Sequence, residues 1–184
     1  DVSFKPERLS LYDYKDPTRP SFVSSISLGD GVKPKSITVR GHLAFVVVFT
    51  DVPRGGSATT GLRILDVANP RQAKLVGMFD APTDGSDQDF GINEQNYPVA
   101  VIDGFAIFAG NEALVHVVDV SDPTQPVEVQ RIEASAVVTD IDAAARHAYV
   151  VSKDGGLVTL RATYPERQVG SVLHMPMTLT RRGR

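Results

Sequence analysis

The sequence predicts an all-β chain made of repeated four-stranded antiparallel units, and three observations carry that expectation. One strand-and-turn motif occurs three times, as Leu11-Tyr12-Asp13-Tyr14-Lys15-Asp16-Pro17, Ile64-Leu65-Asp66-Val67-Ala68-Asn69-Pro70 and Val117-Val118-Asp119-Val120-Ser121-Asp122-Pro123, and its Asp and Pro recur every 53 residues. Apolar runs of strand length are separated by Gly, Asp and Pro at intervals of about 8 to 12 residues, the rhythm of an all-β fold. Helical periodicity is missing over any window of about 11 residues. The alanine-rich stretch Ile141-Asp142-Ala143-Ala144-Ala145-Arg146 lies between two strands and reads as a hairpin loop.

Taken in order, 9–14 alternates with period two and enters the first Asp-x-x-x-Pro turn. Residues 22–28 form the next strand, closed by Gly29-Asp30-Gly31, and 36–39 the one after it. A turn at Arg40-Gly41-His42 leads into Leu43-Ala44-Phe45-Val46-Val47-Val48-Phe49, apolar throughout and therefore expected to be covered on both faces. The second unit follows the same order. After Pro70 come strands at 74–79 and 98–102, joined by a long loop from 80 to 97, and Asp103-Gly104 then turns the chain into 105–109. Asp-Gly between two apolar runs is a strong hairpin signal. The third unit comprises 114–120, 127–132, 137–141 and 147–151. The fourth opens at 156–160, where Arg161 replaces the motif Asp and Pro165 holds the place of the motif Pro, 42 residues after Asp119 and Pro123. Strands at 168–173 and 178–181 are expected to complete it.

A repeat of roughly 40 to 50 residues with four strands each is the signature of a propeller blade, which must stack on neighbours to bury both faces. A sandwich would accommodate the strands but does not require the period. The chain thus reads as a single propeller segment over 1–184, with repeat units at about 9–61, 62–113, 114–155 and 156–184. The alignment of 179–184 with 37–42 makes this about three and a half blades. The expectation is an incomplete ring, finished by further blades or by another chain.

Composition excludes several alternatives. Apolar residues make up 42% and charged residues 22%, values of a folded globular chain. A net charge of −3 gives no basic footprint for nucleic acid. No apolar run reaches the roughly 20 residues of a membrane-spanning helix, so no direct membrane insertion is expected. Zero Cys removes disulfides, thiolate metal sites and Cys nucleophiles.

The recurring motif resembles that of the LVIVD-repeat family of bacterial and archaeal β-propellers. Its repeat runs approximately Gly-Leu-x-Ile-x-Asp-Val-Ser-x-Pro-x-x-Pro-x-x-Val-Gly, followed by a hairpin with an aromatic-Ala-Tyr-Val strand. Residues 61–77, 115–129 and 9–23 carry the likeness, as do Leu43-Ala44-Phe45-Val46 and His147-Ala148-Tyr149-Val150. The departures are Arg161 for Asp and Ala73 for the second Pro. The resemblance implies a secreted or surface-associated propeller, hence an extracellular, cell-surface or periplasmic location.

Candidate functional residues fall into three groups. Asp13, Asp66 and Asp119, with Pro17, Pro70 and Pro123, recur in every copy, and an Asp at a strand end followed by Pro is the chemistry of a turn. The acidic loop 80–91 holds Asp84, Asp87 and Asp89, the one dense set of hard oxygen ligands, which Asn93, Glu94 and Asn96 extend; calcium is the cofactor such a set would take. The spacing differs from the EF-hand loop. Loops 51–60 and 80–97 carry Arg54, Phe90, Asn93 and Tyr97 as candidate interaction residues, because loops on rigid scaffolds carry recognition. The other aromatics lie mostly within strands and read as core. The four His show no metal-binding spacing, and His42 and His147 share a hairpin position. No nucleophile motif or phosphate loop is present. The reading is a non-enzymatic propeller scaffold that binds proteins, with catalytic and cofactor-binding residues unassigned. Two alternatives stay open: an enzyme with its site at the propeller axis, and a calcium-stabilised adhesive domain.

Overall fold

A computed structural model describes residues 7–50, 59–81, 97–110, 113–134, 136–153, 156–162 and 177–180. The metal candidates Asp84, Asp87 and Asp89 and the loop residues Arg54, Phe90 and Asn93 lie outside the described residues. The chain divides into two compact units, Asp1–Phe90 and Gly91–Arg184. All described elements are strands except the 3-10 turn Pro70–Gln72.

In the first unit, β1 (Glu7–Asp13) and β2 (Ser21–Gly29) form a two-stranded sheet. Next come β3 (Val32–Arg40), β4 (Leu43–Thr50), β5 (Thr59–Asp66) and β6 (Lys74–Asp80), in that order in a four-stranded antiparallel sheet. In the second unit, β7 (Val99–Ile102), β8 (Phe105–Ala109), β9 (Leu114–Asp119) and β10 (Val127–Glu133) make one four-stranded sheet. β11 (Val138–Ala144), β12 (His147–Ser152), β13 (Gly156–Ala162) and β14 (Met177–Thr180) make another. The all-β expectation holds.

The continuous apolar runs become the middle strands, as burial on both faces requires. Val46, Val47 and Val48 of β4, Leu62, Ile64 and Leu65 of β5, and Ala106, Ile107 and Phe108 of β8 are buried, as are Val115, Val117 and Val118 of β9. One core cluster joins the two sheets of the first unit, with Ile26 and Leu28 of β2 against Val32, Ala44, Val46, Val48 and Leu65. Leu9 and Leu11 of β1 pack on its margin.

The first two strands of each four-stranded sheet meet through a two-residue turn: Gly41-His42, Asp103-Gly104 and Ala145-Arg146. Asp103 (φ 49°) and Gly104 (φ 84°) are both left-handed, the conformation that makes Asp-Gly a hairpin signal. In three of the four described sheets, pairing to the outer strand skips one residue at the same place, while β14 pairs with β13 without a shift. Val23 in β2, Val76 in β6 and Val129 in β10 fall between paired neighbours, and each lies 53 residues from the next. The Val that closes the sequence repeat is thus a β-bulge, which twists the outer strand.

Several expectations are corrected. Residues 141–144 continue β11, and only Ala145-Arg146 turns, so most of the supposed loop is strand. Residues 177–180 pair with β13 from Thr159↔Thr180 to Ala162↔Met177, the place of an outer strand. They do not correspond to 37–39, which lie in β3, the first strand of its sheet. Arg161 defeats that alignment: with the motif Asp lost, the outer strand cannot be located by counting from it. His42 is a turn residue while His147 begins β12, so the two are one position out of step.

Candidate functional site

The three motif aspartates act on their own backbone. Asp13 Oδ1 accepts the Lys15 N–H at 2.9 Å, Asp66 Oδ1 the Ala68 N–H at 3.0 Å, and Asp119 Oδ1 the Ser121 N–H at 2.9 Å. Each closes an Asx turn at the end of its strand, β1, β5 or β9. A second turn follows at once. Asp16 accepts from Thr18 N (2.9 Å) and Thr18 Oγ1 (2.7 Å), Asn69 from Arg71 N (3.1 Å), and Asp122 from Thr124 N (2.9 Å) and Thr124 Oγ1 (2.7 Å). The hydroxyl hydrogen bonds hold the Asp16 and Asp122 carboxyls below their ordinary value. Backbone bonds then run from Arg19, Gln72 and Gln125 N–H to the carbonyls of Asp16, Asn69 and Asp122. The same 53-residue comparison contains this second Asx position, but reading only the Asp and Pro of the motif passes over it.

Three residues before the motif Asp, two polar side chains are buried: Arg63 in β5 and His116 in β9. Arg63 donates to Asp80 Oδ1 at 2.8 Å and to the carbonyls of Leu28, Leu62 and Phe79, tying β2, β5 and β6 together. Gly61 leaves the room, since a Cβ there would run into Asp80 Oδ1 and stand 2.6 Å from the Phe79 carbonyl oxygen. His116 stacks on Phe108 with centroids 5.0 Å apart, and its Nδ1 lies 2.6 Å from Glu128 Oε1. Arg131 donates to the other oxygen of Glu128 at 3.0 Å. Burial pushes the Glu128 carboxyl up, but hydrogen bonds from His116 and Arg131, with their charges, outweigh it and leave the group below its ordinary value. Both pairs link a third strand to its outer strand, the geometry of internal ties.

The accessible candidate surface is in the first unit. A groove of about 410 Å³ is lined by Tyr12, Asp13, Tyr14, Lys15, Val23, Asn69, Pro70 and Arg71. It runs between the β1–β2 turn and the turn after β5. Ser24 Oγ of β2 donates to the Pro70 carbonyl and fixes that strand to the turn after β5. Tyr12 (51% exposed), Tyr14 (64%) and Phe22 (60%) stand open to solvent here, and Tyr12 meets Phe22 edge-on at 5.8 Å. The expectation that strand aromatics are core therefore fails for this sheet.

Tyr97, expected as an exposed loop contact, is only 1% exposed. It stands directly before β7 with its ring in the core, so its place at the end of a polar loop misleads. Among the described residues no group of three or more His, Asp or Glu is placed to hold a metal ion. No helix among them is long and apolar enough to cross a membrane.

Residues 97–134 match the LVIVD repeat. The matched span begins just before β7 and ends just after β10, so one repeat corresponds to one four-stranded sheet. No curated protein matches the chain.

Proposed function

We propose that this chain is a repeat-built scaffold that binds other proteins, and that the groove beside β1 and β2 is a contact surface. The observation that carries the reading is the exposed pair Tyr12 and Phe22 on the β1–β2 sheet, with exposed Tyr14, Lys15 and Arg71 in the turns at the groove wall. Aromatic side chains offer large contact area at low entropic cost, and Tyr and Arg are enriched among residues that dominate binding energy. Their neighbours are held in place by the Asx turns and by the Ser24 bond to Pro70, so the surface is organised before a partner arrives.

The test replaces Tyr14 with Ser and Arg71 with Glu together, both side chains being exposed. The variant should melt as the wild type does and lose the proteins that cross-link to the wild-type groove. An unchanged set of cross-linked partners would sink the reading. An extracellular, cell-surface or periplasmic location accompanies this proposal and rests on the repeat resemblance alone; fractionation of the native host tests it.

A further inference from the structure

β3 carries two cations, Lys33 and Lys35, in its first half. Lys33 stands opposite Phe49 of β4, and residues directly opposed lie on one face of a sheet. Pairing then passes from Pro34↔Val48 to Ser36↔Val47, so Lys35 is the extra residue of a β-bulge. Such a residue has no opposite number, and the bend re-aims its side chain. The Lys35 Nζ here reaches over the Phe49 ring, 5.7 Å from its centroid. Both lysines are half-buried, and both serve the face that Phe49 occupies.

The sheet of β11 to β14 has the same bulge with different chemistry. Its pairing passes from Val138↔Ser152 to Asp140↔Val151 and leaves out Thr139. Ala44 of β4 and Ala148 of β12 hold the same place in their sheets, opposite Leu65 and Leu160. Counting from them sets Thr139 on Lys35 and Val137 on Lys33. The Thr139 hydroxyl donates to the Val151 carbonyl at 3.2 Å, a tie within the sheet. The bulge therefore belongs to the scaffold, and the scaffold does not need two like charges at it.

A cation beside a lysine and partial loss of water both favour the neutral amine, which is the nucleophile. Burial, and after it the charge of Lys33, holds the Lys35 ammonium below its ordinary value. The Lys33 charge also attracts anions to the same place. We infer that Lys35 is a site of covalent modification, the lysine of this chain that acyl phosphates, as small anionic acyl donors, acylate first. The Lys35 nitrogen attacks the carbonyl carbon, the bond from that carbon to the phosphate oxygen breaks, and phosphate leaves with the electron pair. The nitrogen gives its proton to water and an amide remains. The product carries no charge, so repulsion by Lys33 and the cation contact with Phe49 both end.

The experiment incubates the whole 184-residue chain with acetyl phosphate and follows acetylation at each of its six Lys by peptide mass spectrometry. Lys15, Lys74 and Lys153 are exposed and serve as references, since access alone would make them react first. Lys35 should react at least about threefold faster than any of the three. Lys33→Gln, with an unchanged melt, should slow Lys35 by at least about threefold and leave the references as they are. If that variant unfolds, the ranking in the wild-type chain decides alone. Three results overturn the inference: Lys35 no faster than the exposed lysines, an unchanged Lys35 rate in folded Lys33→Gln, or an equal preference for Lys35 with the neutral donor phenyl acetate.

Discussion

Asp13, Asp66 and Asp119 answer one residue-scale question, whether repeated carboxylates serve chemistry or shape. Each commits Oδ1 to an N–H two residues ahead, so the repetition records a turn. Asp66→Ala should therefore lower stability by about 1 kcal/mol, the net worth of one such bond. Asp66→Asn, which keeps the acceptor, should restore most of it; equal losses in denaturant melts would contradict this. Glu128 supplies a pH dependence. Its carboxyl is depressed in the folded chain, so its contribution is present above the ordinary carboxylate range and is lost as pH falls through the lowered value. Between about pH 7 and about pH 3, Glu128→Gln should flatten the acid limb of the melting-temperature profile. An acid limb as steep as the wild type's would remove Glu128 from that role. The turn chemistry was legible because Asp and Pro act on adjacent backbone. The ties of Arg63 to Asp80 and His116 to Glu128 were not, because partners 17 and 12 residues away meet only once strands are in register.

Strands and hairpins are the most readable elements. An apolar run buried on both faces or an Asp-Gly turn depends on a few neighbouring residues, and β4 and the β7–β8 hairpin match their expected form. The equivalent turn at Ala145 (φ 52°) carries no such signal, and 141–146 reads as loop in the sequence for that reason. A left-handed φ costs an L-residue with a side chain free energy that glycine does not lose. Ala145→Gly should accordingly stabilise the chain by about 0.5–1 kcal/mol, reduced by the added freedom of the unfolded state. A drop in melting temperature would contradict it. Gly61 behaves oppositely. A methyl there would meet the Phe79 carbonyl at 2.6 Å, backbone that cannot swing away. Gly61→Ala should cost about 1–3 kcal/mol by overpacking and loosen the bond from Arg63 to Asp80. A neutral melt would mean that β6 yields.

At the scale of the whole molecule, the sheets are out of phase with the motif-to-motif units, whereas the matched repeat 97–134 coincides with one sheet. The motif-to-motif unit 62–113 begins in the third strand of one sheet and ends before the third strand of the next. Each such unit therefore contributes to two sheets. That offset explains why the stretch Glu7–Asp13 cannot be judged one strand at a time. In the sequence β1 looks like any alternating strand, and only the pairing with β2 shows that it stands where β5 and β9 stand beside β6 and β10. Decay of the fourth motif at Arg161 hides the position of β14 in the same way. The central claim is that β1, β5 and β9 are copies of one strand, each ended by the same Asx turn and each paired with a bulged neighbour. Native-state amide exchange tests it most directly. The β1 amides that face β2 should be protected, as should those of β5 that face β6 and those of β9 that face β10. Free exchange of the β2-facing amides along Glu7–Asp13 would contradict the account.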